Sequence, residues 1–131
     1  MESEAKKVVL EFLTAIQEGD NAKLGAILHP KIIWNQPGDN LVSGIKRSNM
    51  EVFEMVAKMF EIVANSLRLS EVKSVAVNGN QVSCLLQWEA EKATGERLDT
   101  DNIDVYTVEG GQITKADIFL SDIAEENRFW N

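Results

Sequence analysis

Apolar residues at the start of the chain recur with the period of an α-helix. They predict a first helix from about Glu4 to Glu18, which Gly19 ends. Asp20 is a suitable N-cap for a shorter second helix, and Pro30 ends that helix because proline disfavours a helical residue before it. The expected core face of the first helix consists of Val8, Val9, Phe12, Leu13 and Ile16.

A short strand and a longer helix follow. The apolar stretch from Ile32 to Gly38 ends in Pro-Gly and predicts a strand followed by a turn. Because side chains alternate along a strand, Trp34 and Gln36 point to the same face. Leu41 to Arg47 is predicted to be a connector. A Ser-x-x-Glu capping box then opens a third helix, from about Asn49 to Ala64.

The hydrophobic pattern changes to period two in the second half of the chain. Asn78-Gly79 predicts a hairpin turn, and Val82 to Glu89 alternates as one strand of that hairpin. Two further strands are predicted from about Arg97 to Val108 and from Gln112 to Leu120. The order ααβαββββ indicates an α+β fold with three N-terminal helices packed on one face of a curved antiparallel β-sheet.

The length, charge and composition of the chain disfavour several classes of function. The length of 131 residues fits a single domain, residues 1–131, and the net charge of -8 disfavours nucleic acid and membrane surfaces as partners. The N-terminus lacks a basic and apolar leader pattern, so we expect a cytoplasmic protein. The single cysteine, Cys84, and the single histidine, His29, form no metal-binding or thiol motif, so we expect neither a metal nor another cofactor.

The element order and three local motifs resemble a known superfamily. The motifs are Val8-Val9 through Phe12, Gly19-Asp20, and the turn from Trp34 to Gly38. On these features the chain resembles the nuclear transport factor 2-like superfamily, and within it the SnoaL-like polyketide cyclases and the ketosteroid isomerases. The resemblance implies a cone-shaped fold with an internal pocket, and a homodimer formed through the outer face of the sheet. Because this superfamily includes proteins without catalysis, the fold alone does not give the function.

The ketosteroid isomerase mechanism needs a carboxylate base together with a tyrosine and a protonated aspartic acid as hydrogen-bond donors. The resemblance aligns these three groups with Gln36, Phe12 and Asp104, and only Asp104 keeps its chemistry. An amide is not a useful base, and a phenyl ring donates no hydrogen bond. We therefore expect no isomerase reaction by that route.

Two other mechanisms of the superfamily match only in part. The epoxide hydrolases place an arginine two residues before the catalytic aspartate, where this chain has Asn102 before Asp104. The polyketide cyclases use an acid or base near the end of the last strand, where Ser121-Asp122 lies one residue out of register. Asp122 is therefore a weaker acid–base candidate than Asp104.

The orientation of Asp104 separates two interpretations. Simple alternation buries Ile103 and Val105 and leaves Asp104 in water. The resemblance instead places Asn102, Asp104 and Tyr106 inside the cone, with Ile103 and Val105 at a dimer interface. We predict the inward placement, and desolvation there should raise the pKa of Asp104.

The resemblance also implies which side chains line the pocket. Trp34 and Trp88 are either core residues or pocket walls, and Gln36 is either a turn residue or a polar anchor at the pocket floor. Phe129-Trp130 is expected to cover either the pocket mouth or a partner subunit. The expected pocket residues are Phe12, Ile16, Trp34, Gln36, Phe53, Leu86, Trp88, Asn102, Tyr106, Ile118 and Leu120.

Two functions follow from this interpretation. The first is a cofactor-independent isomerase, cyclase or lyase that transfers a proton on a small apolar molecule such as a carbonyl compound. In it, Asp104 is the acid or base, and Gln36, Asn102 and Tyr106 orient the substrate. The second is a non-catalytic domain that binds a small ligand or dimerises. The loss of two of the three isomerase groups favours this second function.

Overall fold

A computed structural model describes residues 3–131. The helices are α1 (Glu4–Glu18), α2 (Asn21–Ile27), α3 (Asn49–Ile62) and α4 (Ile123–Trp130), and the strands are β1 (Leu28–Gln36), β2 (Gly44–Lys46), β3 (Arg68–Asn78), β4 (Gln81–Glu91), β5 (Arg97–Glu109) and β6 (Gln112–Leu120). The predicted α+β class, with N-terminal helices packed on a mostly antiparallel sheet, is confirmed.

The strands form one sheet in the order β2-β1-β6-β5-β4-β3. β5 lies near the middle of the sheet, where Asp104 is opposite Cys84 of β4 and Ile118 of β6. Register shifts interrupt the pairing of β3 with β4 and of β5 with β6, and such bulges bend a sheet. The inner face is covered by α1, which contacts β3, β4, β5 and β6.

Local sequence explains where the helices begin and end. The hydroxyl of Ser3 accepts a hydrogen bond from the backbone N–H of Lys6 and caps α1, and Ser48 caps α3 in the same way. Gly19 adopts a left-handed conformation with φ of +69° and ends α1. The apolar faces predicted for α1 and α3 therefore turn towards the sheet, where Val9, Phe12 and other members of the core are buried.

Three features differ from the prediction. The predicted connector contains β2, a strand of three residues that exists because it pairs with β1 and is too short to show a period in the sequence. The sequence predicted antiparallel neighbours throughout, but β1 pairs with β6 in parallel. This pairing is possible because a long connection through α3 and four strands separates the two in the chain. The C-terminal segment, predicted as a docking tail, is the helix α4.

The described chain has two further properties that bear on function. Among residues 3–131, no helix is both long enough and apolar enough to span a membrane. The same residues contain no group of three or more His, Cys, Asp or Glu side chains arranged to hold a metal ion.

Candidate functional site

The inner face of β5 carries a run of polar side chains. Thr100, Asn102, Asp104 and Tyr106 are buried at every second position, whereas Ile103 between them is 45% exposed. The structure therefore places Asp104 inside the fold, where only 3% of the residue is exposed. Simple alternation of polarity would give the opposite orientation for this part of the strand, because Ile103 and Val105, the residues on either side of Asp104, are apolar and point outward.

These side chains face a cavity of about 460 Å³ between the sheet and the helices. Its volume lies within the range of small-molecule sites. Most of its wall is apolar, and one end is lined by the exposed residues Gln17, Glu18, Asn21 and Arg68, which mark the mouth. The sequence-predicted residues that line the cavity are Phe12, Ile16, Trp34, Gln36, Phe53, Trp88, Asn102, Asp104, Tyr106 and Ile118.

Three of the expected site residues lie elsewhere. Leu86 is fully buried and belongs to the packed core, outside the cavity lining. Leu120 is the last residue of β6 and lies beyond the cavity wall. Asp122 is exposed and caps α4, where its carboxylate accepts a hydrogen bond from the backbone N–H of Glu125 at 2.9 Å. Helix capping therefore explains Asp122 and removes it from the candidate acid–base groups.

Asp104 has one partner and one free oxygen. The hydroxyl of Tyr106 donates a hydrogen bond of 2.6 Å to its Oδ2, and Oδ1 has no partner within the described chain. The pKa of Asp104 is raised to about 7, mainly by burial and also by the negative charge of Glu126, while the Tyr106 hydrogen bond acts to lower it. An acid with this pKa exchanges protons readily near neutral pH.

Aromatic rings hold Tyr106 in place. Phe12 meets it edge to face with 5.3 Å between ring centroids, and Trp34 lies at 6.2 Å on another side. Burial, the nearby charge of Asp104 and the hydrogen bond to it all raise the pKa of Tyr106 well above its usual value. The phenol therefore stays protonated and keeps donating to Asp104.

Trp34 and Gln36 form a buried pair at the end of β1. The Trp34 indole N–H donates a hydrogen bond of 3.0 Å to Oε1 of Gln36. Since the Gln36 carbonyl oxygen is occupied in this way, its NH₂ group is the part of the amide that can donate to a bound molecule. Both residues line the cavity, so the structure places Trp34 in its wall as well as in the core.

Helix α4 supplies two cavity residues, Glu126 and Trp130. Glu126 was not expected from the sequence, whereas covering the pocket was one of the two alternatives for Trp130. Glu126 is 4% exposed, and its Oε1 accepts a hydrogen bond of 3.2 Å from the Trp130 indole N–H. The rings of Phe129 and Trp130 pack edge to face, with 5.0 Å between their centroids. Trp130 thus covers part of the cavity of its own chain. The Asp-x-x-Glu cap at Asp122 was the sequence signal for this helix.

The turn after β1 fixes α4 against the sheet. Oδ1 of Asn127 accepts hydrogen bonds from the backbone N–H of Asp39 at 2.7 Å and from the Asn40 amide at 2.9 Å. Gly38 has φ of +108°, and a Cβ atom there would lie 2.7 Å from the same Asn127 oxygen. Glycine at this position therefore permits the close approach that brings Glu126 to the cavity.

Comparisons with known proteins place the chain in a family. A family model for the SnoaL-like domain matches residues 9–116. The chain belongs to the SnoaL-like domain family. The predicted resemblance to this branch of the nuclear transport factor 2-like superfamily is thereby confirmed. A search of curated proteins found no match for this SnoaL-like protein.

Solved structures share the fold over almost the whole length. A Xanthomonas campestris protein of unknown function with a cystatin-like fold is 31% identical, with a TM-score of 0.91 over 97% of this chain and 98% of that one. A nuclear transport factor 2-like protein of unknown function from Burkholderia pseudomallei is 21% identical, with a TM-score of 0.86 over 99% of each chain. A Jannaschia protein provisionally assigned as a SnoaL-like polyketide cyclase is 16% identical, with a TM-score of 0.78 over 95% of this chain and 90% of that one.

Proposed function

We propose that this SnoaL-like protein is a cofactor-independent enzyme that transfers a proton on a small apolar molecule, an enolisable carbonyl compound. Asp104 is the general acid or base. The observation that carries the proposal is its buried carboxyl, which has one phenol donor, one unpartnered oxygen and a pKa of about 7 in an apolar cavity. The provisional assignment of the Jannaschia protein as a polyketide cyclase fits a substrate of this class.

The proton transfer needs few groups. As the base, the Asp104 carboxylate takes a proton from the carbon beside the carbonyl, and the C–H electron pair forms a C=C bond while the carbonyl π pair moves to oxygen. The Gln36 NH₂ donates a hydrogen bond to that enolate oxygen, since the Trp34 indole holds the amide in this orientation. Asp104, now protonated, returns the proton to another carbon and so completes an isomerisation.

The size of the expected effect is modest. A positioned acid or base accelerates proton transfer about 10²- to 10⁴-fold. The aromatic wall around Tyr106 excludes water, which keeps the Asp104 carboxylate poorly solvated and therefore more basic than in water.

A second candidate function is a non-catalytic binding domain. Gln36 and Phe12 stand at the positions where the ketosteroid isomerases, which this chain resembles, have a base and a hydrogen-bond donor. Both residues line the cavity. A binding protein needs the cavity and the amide donor but no titrating carboxyl. The two functions therefore differ in the role they give to Asp104.

The probe 5-nitrobenzisoxazole separates the two functions. A base removes its ring C–H proton, the electron pair forms a nitrile, and the N–O bond breaks to release a coloured phenolate. We expect the wild-type protein to accelerate this elimination and Asp104→Asn to lose about 10²-fold in kcat/KM. Asp99→Asn, which alters the outward face of the same strand, is the matched control and should keep the wild-type rate. Equal rates for the wild type and Asp104→Asn would leave only the binding function.

We also propose a homodimer that forms through the outer face of the sheet. Ile103 and Phe119 lie directly opposite each other on β5 and β6 and are 45% and 57% exposed, and Leu85 of β4 continues the row. Adjacent apolar side chains in water favour burial against a partner. In light scattering after size exclusion, the wild type should have twice the monomer mass and Phe119→Asp the monomer mass. Leu41→Asp, at an exposed loop residue away from this row, is the control. A monomeric wild type would refute the dimer.

A further inference from the structure

Glu126 is a second carboxyl group in the cavity, and it comes from the helix side. Its Oε1 accepts the Trp130 indole N–H, while Oε2 is buried and finds no partner in residues 3–131. A buried carboxyl oxygen without a donor costs free energy, which the fold could avoid with an apolar side chain at this position. The unpartnered oxygen therefore indicates a group that a bound molecule would contact.

The sheet side of the same cavity has two atoms of this kind. Oδ1 of Asp104 and Oδ1 of Asn102 are also buried and unpartnered within the part of the chain that the structure describes. All three residues line the one cavity. A molecule bound there lies between a carboxyl group of the sheet and a carboxyl group of α4, and it can satisfy both.

We propose that Glu126 is a second catalytic acid–base residue, which acts with Asp104 as a pair that holds a single proton and contacts the substrate from the opposite side. This inference rests on the proposed proton-transfer function. The carboxylate of the pair takes the carbon-bound proton, and the C–H electron pair forms a C=C bond. The carbonyl oxygen takes the proton of the carboxylic acid, which gives an enol. The pair still holds one proton, now on the other member, and the reverse transfers to a different carbon complete the isomerisation.

The electrostatics of the cavity favour the singly protonated pair. The pKa of Asp104 and the pKa of Glu126 are both raised to about 7, mainly by burial, although the hydrogen bonds from Tyr106 and from Trp130 act to lower them. A charge on Glu126 raises the pKa of Asp104, so the pair resists losing its second proton. Near neutral pH one carboxylate and one carboxylic acid are therefore present together. The other titratable or charged groups that line the cavity or shift these two pKa values are Glu18, Arg68, Tyr106, Asp122 and Glu125. Cys84, opposite Asp104 on β4, acts only on the pKa of Tyr106.

The pH profile of the nitrobenzisoxazole elimination tests the pair. The probe suits the test because negative charge develops on its departing oxygen while its carbon loses a proton, so a carboxylic acid can donate a hydrogen bond to that oxygen while the carboxylate acts as the base. The wild type should give a bell-shaped profile of kcat/KM, since the fully protonated pair has no base and the fully ionised pair has no carboxylic acid to donate to the departing oxygen. Glu126→Gln should lose about 10²-fold and titrate through a single step. Glu126→Asp keeps a carboxyl and should keep the bell at a lower rate.

Glu125→Gln is the matched control, because it removes the same charge from the neighbouring position of α4, outside the cavity lining. It should keep a bell-shaped profile with the wild-type maximum rate, and the profile should move only slightly to lower pH because the charge of Glu125 raises the pKa of Glu126. If Glu126→Gln keeps the bell-shaped pH profile of the wild type while Asp104→Asn is inactive, Glu126 is not a catalytic partner of Asp104. The proposed proton-transfer function would then remain intact. Equal rates for the wild type and Asp104→Asn would overturn the proposed function itself. Circular dichroism checks that each variant is folded. If Glu126→Gln does not fold, Glu126→Asp serves in its place, and loss of its bell-shaped pH profile would refute the role of Glu126 in the pair.

Discussion

Replacing Asp104 with asparagine should change how the stability of the protein depends on pH. The pKa of Asp104 is about 7 in the folded protein, compared with an ordinary value of 3.8. Because the folded pKa is the higher one, the carboxyl contributes its full stability below the ordinary value, and that contribution is lost as the pH rises through the folded value. The complete loss corresponds to about 4 kcal/mol, of which about 2.5 kcal/mol falls between about pH 5 and about pH 8.

Asparagine has nearly the shape of aspartate and carries no charge at any of these pH values. The difference in free energy of unfolding, Asp104→Asn minus wild type, should therefore increase by about 2.5 kcal/mol from about pH 5 to about pH 8. Glu126 titrates in both proteins, so most of its contribution cancels in this difference. Urea denaturation at the two pH values measures the change.

The exposed Asp99 on the outward face of the same strand provides the control, since its carboxylate lies outside the cavity, where it accepts a hydrogen bond from the Gln87 amide. Asp99→Asn should show the same stability difference from wild type at both pH values. If the Asp104→Asn difference is also independent of pH, the carboxyl is not held in an apolar environment, and the reasoning about the cavity is wrong.

Two further substitutions test the surroundings of the carboxyl pair. Tyr106→Phe removes the hydrogen bond that lowers the pKa of Asp104, so carbon NMR should show that pKa higher than in the wild type, and an unchanged or lower value would contradict the 2.6 Å contact. Gly38→Ala strains the turn and brings a Cβ against Asn127, so urea denaturation should show a loss of about 2 kcal/mol. Gly79 also has a positive φ, but a Cβ atom added there would meet no other residue within 4 Å, so Gly79→Ala should lower the free energy of unfolding by only about 1 kcal/mol. Equal losses for the two variants would argue against the close approach of α4 to Gly38.

The sequence was sufficient for much of the fold because the helices carry their own signals. The apolar stripe of α1 ends at Gly19, and the Ser48 cap begins α3, so local chemistry alone gives these boundaries. β2 and the parallel pairing of β1 with β6 depend on contacts between segments that are distant in the chain. No local pattern encodes such contacts.

The site could be predicted only in part, for a reason visible in β5. Its inner face is polar and its outer face carries Ile103, so hydrophobic alternation alone would have turned Asp104 outward. Family resemblance, rather than the period of the strand, gave the inward orientation. Glu126 was missed because a Glu on a short polar helix is ordinarily a solvated residue. Its burial arises only because the Gly38 turn holds α4 over the cavity.

The proposed chemistry depends on Asp104 being a buried carboxyl that exchanges its proton near neutral pH. A carbon NMR titration of the Asp104 side chain in the wild-type protein measures this property without any probe molecule. We expect a pKa of about 7, and Glu126→Gln should lower it because the neighbouring charge is gone. A pKa close to the ordinary 3.8 would show instead that the Asp104 carboxyl is not held in an apolar cavity.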